Sequence, residues 1–91
     1  MYDDENGRYI TDKIIELTSL ENRILKLLIM NKGKVITYKQ IVEEIYFEIY
    51  DKEDAGQRKK IHSCIRRLKE KLGSEVEFIN KKNIGYIIGK F

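Results

Sequence analysis

The sequence predicts an α+β fold in which three helices follow a short N-terminal β segment and are closed by a C-terminal β-hairpin. Three observations carry that prediction. Two Thr-x-x-Glu/Gln spacings mark helix starts, apolar residues recur at helical intervals in three separate segments, and the chain ends in two β-rich runs around a polar turn. With 91 residues there is material for one domain, spanning 1–91, with one modest core. A composition 42% apolar and 36% charged excludes a disordered tail and a membrane span, since no apolar run reaches the roughly 18 residues a span requires. The opening Met1-Tyr2-Asp3-Asp4-Glu5-Asn6-Gly7 is acidic and lacks the features of a secretory signal. Residues 1–7 are therefore expected to be flexible and the site of action cytoplasmic. A lone cysteine, Cys64, has no intrachain disulfide partner, in keeping with a reducing compartment.

The β-branched runs Arg8–Thr11 and Lys13–Leu17 predict a small hairpin or two edge strands. Thr18-Ser19-Leu20-Glu21 then has capping-box spacing, in which hydroxyl and carboxylate satisfy free amides at a helix start. This first helix runs to about Asn31, with Leu20, Ile24, Leu27 and Leu28 on one face and Gly33 ending it. Val35-Ile36 suits a brief strand, and Thr37-Tyr38-Lys39-Gln40 repeats the capping box. The buried face of the second helix reads as Tyr38, Ile41, Val42, Ile45, Tyr46 and Ile49. Asp51–Gly56 has no large apolar anchor and reads as an exposed connection, with Asp54 placed to cap the next helix. That third helix spans 57–72: Ile61, Ile65, Leu68 and Leu72 form its stripe, and Gly73 stops it. Val76–Ile79 and Ile84–Ile88 are two strands around Asn80-Lys81-Lys82-Asn83. In this order the elements make a three-helix winged helix-turn-helix with a C-terminal hairpin wing.

The net charge of +3 is modest, but its distribution is uneven. Arg58, Lys59, Lys60, Arg66, Arg67, Lys69 and Lys71 face a single acid, Glu70, on the third helix, whereas Asp3, Asp4, Glu5, Asp12, Glu16 and Glu21 crowd the first quarter. A basic stripe suits a polyanion, because each neutralised phosphate releases a counterion. A charge run is more often a solvated face, and Arg66 and Arg67 have surface pairs with Glu43 or Glu44 as their alternative. It is the helices before the stripe and the lysine-tipped hairpin after it that favour binding. Cys64 reads as packing, and one His with one Cys cannot complete a zinc site, so no metal, cofactor or catalytic residue is expected.

These motifs resemble the DNA-binding effector domain of OmpR-type response regulators over nearly the whole chain. The matching features are Leu17-Thr18-Ser19-Leu20-Glu21, the pair Leu27-Leu28, Gly33-Lys34-Val35-Ile36-Thr37, Ile65-Arg66-Arg67-Leu68-Lys69-Glu70-Lys71-Leu72, and Gly85-Tyr86. The resemblance implies a transcription regulator of a two-component system that binds double-stranded DNA as a dimer on tandem half-sites. It places His62, Ser63, Arg66 and Arg67 toward the major groove and Lys59, Lys60 and Lys69 on phosphates. In the wing, 79–86, it sets Lys82 beside Lys81 at the minor groove and Tyr86 and Asn80 on phosphates. Arg66 and Arg67 have the fork geometry for guanine O6 and N7, while the lysines neutralise phosphate without reading sequence. Departures from the family pattern include a reduced N-terminal sheet, Tyr46 for a tryptophan, Asn83 for a glycine, and Lys82 for an arginine, which loses the planar fork. A receiver domain does not fit beside this domain within 91 residues.

Two other functions compete with this one. A winged-helix module can bind protein without DNA, here through the acidic second helix and the segment 47–56, through which contact with RNA polymerase is also expected. An enzyme lacks support, with no phosphate loop, paired carboxylates or metal cluster.

Overall fold

The computed structural model describes residues 1–91. At the chain start Tyr2–Asp3 (β1), Arg8–Ile10 (β2) and Ile14–Glu16 (β3) form an antiparallel sheet in the order β1-β2-β3. Within the segment 1–7, expected to be flexible, Tyr2–Asp3 is paired as a strand. Tyr2 pairs with Tyr9 and Asp3 with Arg8, the Tyr2 ring stacks on Tyr9 with centroids 6.3 Å apart, and its hydroxyl donates to Asn22. One aromatic anchor therefore orders an otherwise acidic segment. Gly7, at φ 64°, makes the turn and accepts the Leu17 amide at 2.8 Å.

Helix α1 covers Ser19–Met30 and begins at the expected capping box, with Thr18 accepting from the Glu21 amide and Glu21 accepting from the Thr18 amide. Its buried residues are Glu21, Ile24, Leu25 and Leu28; Leu20 and Leu27 are only partly covered. It ends at Met30 with Asn31 as its C-cap, in line with the expected end near Asn31, and Gly33 turns the chain afterwards at φ 84°. Ile36–Thr37 (β4) leads into α2, Tyr38–Ile45, whose capping box joins Thr37 and Gln40. The helix is shorter than its apolar pattern suggests. Phe47 adopts a left-handed conformation at φ 57°, so Ile49, expected in the core, is 89% exposed.

Helix α3, Ala55–Leu72, starts two residues earlier than expected, because Asp54 caps it through the Gly56 amide at 2.9 Å. Ile61, Ile65, Leu68 and Leu72 are buried as the stripe required, joined by Cys64 and Gln57. Gln57 holds the preceding loop by accepting the Asp51 amide and donating to the Ile49 carbonyl. After a single 3-10 turn at Gly73–Glu75, β5 (Glu77–Lys81) and β6 (Gly85–Lys90) form the hairpin, extending further into the turn than Asn80–Asn83 suggested. The second sheet has the order β4-β6-β5. It fastens the wing to the helices, since Ile36 pairs with Tyr86 and Thr37 with Gly85. At Gly85 an added Cβ would lie 2.0 Å from the Ile36 carbonyl oxygen, so the two backbones can meet only at a glycine. One cluster of 18 buried residues unites all three helices with Tyr9, Ile36, Val76, Phe78, Tyr86 and Ile88. No helix is long and apolar enough to cross a membrane.

Candidate nucleic-acid interface

Burial of the α3 stripe forces the remaining residues of that helix outward. Lys59, His62, Arg66 and Lys69 recur at i, i+3, i+7 and i+10 and share one exposed face. Lys59, Arg66 and Lys69 have no carboxylate partner and no hydrogen bond within the chain. A surface pair of Arg66 with Glu43 or Glu44 does not form, and Glu43 is taken by Lys39 at 2.8 Å.

On the flank toward α1 and α2 the cations are engaged. Lys60 lies 2.8 Å from Glu48 and 4.8 Å from the Tyr46 ring centroid, a pairing that competes with its expected place on phosphate. Arg67 approaches the Glu21 carboxylate through Nε at 3.4 Å, and Lys71 reaches the other oxygen at 2.6 Å. Glu21 is completely buried, and its Oε2 accepts no hydrogen bond, leaving Arg67 as the only cation opposite it. Burial raises the Glu21 pKa, but Lys71 and the Thr18 amide more than offset this, so the carboxyl sits below its ordinary range. Between these groups Leu20, Tyr46, Lys59, Lys60, Ser63 and Arg67 line an open hollow of about 290 Å³ with an apolar floor and a cationic rim. Below it, burial pushes the Cys64 thiol up to about 11 and the Tyr46 phenol up to about 12, which keeps both protonated and unreactive.

In the wing, Lys81 and Lys82 are exposed and unpaired, and Asn83 occupies the left-handed region at φ 64°, a conformation that asparagine tolerates in place of the family's glycine. Tyr86 and Asn80, which the resemblance placed on phosphates, each meet another side chain within the domain. Tyr86 is only 4% exposed and its hydroxyl meets His62 Nδ1 at 2.5 Å, while the Asn80 amide donates to the Tyr38 hydroxyl at 3.1 Å. The reason is the apolar register of β6, which turns Tyr86 inward beside Ile88. Burial, then the Arg58 charge, hold His62 below its ordinary pKa, so it is neutral near pH 7. Glu21, Tyr38 and Gln57 are the residues that sequence reasoning did not assign to the site. Glu21 was legible only as a helix cap, although its spacing to a basic helix offered the one available hint.

The geometry thus presents a bare cationic stripe on α3 and a second cationic point at the wing turn. Residues 12–88 match the family described as transcriptional regulatory protein, C terminal. The fold is similar to the DNA-binding domain of Bacillus subtilis CssR, at 28% identity and a TM-score of 0.70, covering 84% of this chain and 81% of that one. It is also similar to the C-terminal domain of the nisin resistance regulator NsrR, a lantibiotic response regulator, with a TM-score of 0.69 over 94% of this chain and 88% of that one. At 20% identity the second likeness speaks to the fold alone. None of the curated proteins matches the chain. The family match over most of the sequence shows that the chain belongs to the C-terminal DNA-binding domains of OmpR-type transcriptional response regulators, a family of binding domains and not of enzymes.

Proposed function

We propose that the domain binds double-stranded DNA sequence-specifically, with α3 along the major groove and the turn of the wing at the minor groove. The observation that carries this is that Lys59, Arg66 and Lys69 share one exposed face of α3 without an internal partner, and that Lys81 and Lys82 stand likewise unpaired in the wing. In a domain where Asp4, Glu16, Glu21, Glu43 and Glu48 all find cations, these five remain available for an external anion. Arg66, and Arg67 steadied by Glu21, read base edges; Lys59, Lys69, Lys81 and Lys82 neutralise phosphate or line the minor groove. Lys60 and Ser63 border the hollow and border the same DNA face. Binding of two copies on tandem half-sites follows the family pattern.

Salt-titrated binding to mixed duplex DNA tests the reading. Five to six phosphate contacts give a log–log slope of about −5. Absence of binding at low salt overturns it. A protein contact through 47–56, with RNA polymerase as the partner, accompanies DNA binding in this reading; it is favoured by the exposure of Phe47 at 77% and Ile49 at 89%. Loss of promoter activation with intact DNA binding in a Phe47→Ser/Ile49→Ser variant supports that contact, and unchanged activation removes it.

A further inference from the structure

Four side chains from four elements converge where α3 meets the wing: Tyr38 of α2, His62 of α3, Asn80 of β5 and Tyr86 of β6. Their rings meet edge to face, with centroids 5.6 Å apart for Tyr38 and His62, 5.5 Å for His62 and Tyr86, and 6.3 Å for the two tyrosines. Asn80 and Tyr86 are direct cross-strand partners, so the amide cannot drift away from the two phenols.

The donors and acceptors of this cluster can be matched in a single consistent way. The Asn80 amide nitrogen can only donate, and it donates to the Tyr38 oxygen at 3.1 Å. Tyr86 is buried, so its hydroxyl proton needs an acceptor. The buried hydroxyl has His62 Nδ1 at 2.5 Å. If Nδ1 carried the proton, Tyr86 could only accept from it, and the buried hydroxyl's own hydrogen would be left without an acceptor.

We infer that the Tyr86 hydroxyl, donating to Nδ1, locks His62 in the neutral tautomer protonated on Nε2, making it a fixed hydrogen-bond donor on the DNA-facing stripe. His62 is exposed, and its Nε2 forms no hydrogen bond within the chain. A ring locked this way offers a donor and no acceptor, so it selects a base-pair edge presenting guanine O6, thymine O4 or a purine N7, and disfavours a cytosine amino group. Tyr86 is a positioning residue: it ties the identity of one base pair to the seating of the wing without touching DNA. The tautomer stands on the geometry alone, whereas its reading role rests on the proposed DNA function.

Two measurements on the full chain separate these. Long-range 15N–1H correlation of the His62 ring at about pH 8, above the ordinary histidine range, reports the protonated nitrogen directly. The expected result is Nε2–H in the native chain and a mixture of tautomers in Tyr86→Phe, with unchanged amide shifts in α1 showing that the variant is folded; an Nδ1–H ring in the native chain overturns the inference. Duplexes selected from a random pool then test reading. His62→Ala and Tyr86→Phe each relax the preference at one and the same base pair by about 5-fold, the worth of a single hydrogen bond, and the double variant loses no more. Losses that add, or that spread over several base pairs, overturn the reading role. A native chain that selects no duplex defeats the proposed function and the reading role together, and the ring spectrum still decides the tautomer.

Discussion

Glu21 illustrates how much a single buried carboxylate organises. It caps α1, accepts from Lys71 and faces Arg67, joining the start of the first helix to the basic helix. Its pKa lies below the ordinary value, so its stabilisation is fully present above the usual carboxylate pKa of about 4.3 and is lost as pH falls through the lower, folded-state value. Glu21→Gln keeps the cap but removes the charge. Because Lys71 and Arg67 are each partly exposed, at 34% and 47%, they recover water when unpaired, and the expected loss is about 1–2 kcal/mol near pH 7, shrinking in acid. Urea unfolding of both chains at about pH 7 and about pH 3 measures it; an equal difference at the two pH values refutes the assignment. On DNA, Arg67→Ala is expected to cost about 1–3 kcal/mol on the preferred site and to relax specificity, whereas Lys59→Ala weakens all sequences alike. Equal losses on selected and random duplexes for both variants contradict the division into readers and anchors. At this scale the sequence revealed which residues were basic and outward, since the periodicity of Ile61, Ile65, Leu68 and Leu72 forces Lys59, Arg66 and Lys69 off the core. It did not reveal that Lys60 and Arg67 find acids 12 and 46 positions away, because such pairings depend on tertiary approach.

Among the elements, the two helix starts were the most legible, because a capping box is a short-range chemical pattern satisfied within four residues. Thr18→Ala and Thr37→Ala are each expected to lower stability by about 1 kcal/mol in thermal or urea unfolding; a change below a few tenths at both sites contradicts the caps' importance. Helix ends were less legible. The apolar run from Tyr38 to Ile49 continues past the point where the backbone departs at Phe47, and nothing local announces a left-handed phenylalanine. That residue is 77% exposed and stacks loosely under Arg23, with 5.8 Å from guanidinium to ring centroid. Phe47→Gly releases the left-handed strain while removing little burial, so it is expected to raise stability by about 0.5–1 kcal/mol. A clear destabilisation in the same unfolding assay means that the ring, and not the backbone, sets the end of α2.

For the molecule as a whole, charge is more evenly matched than the acidic start and basic helix suggest. Asp4 meets Lys26 at 2.9 Å and Glu16 meets Arg8 at 3.3 Å, so part of the N-terminal acidity is neutralised within its own neighbourhood. Among the cations with no carboxylate partner, Lys59, Arg66 and Lys69 gather on one face of α3 and Lys81 and Lys82 at the wing turn. Replacing Lys81 and Lys82 together by Ala is expected to make the salt slope about 2 less steep with no change in melting temperature; an unchanged slope removes the wing from the interface. The wing also shows how its anchor and its tip have been separated. Gly85 and Tyr86 clamp β6 to Ile36 and Thr37, while the tip at 82–84 projects beyond the last cross-strand pair, Lys81 with Gly85. Such a hairpin behaves as an exchangeable cassette. Tips of other lengths and charges can be grafted in place of Lys82-Asn83, leaving the Ile84 carbonyl to accept the Tyr38 amide at the start of α2, so the domain's DNA preference is open to reprogramming in the wing independently of its fold.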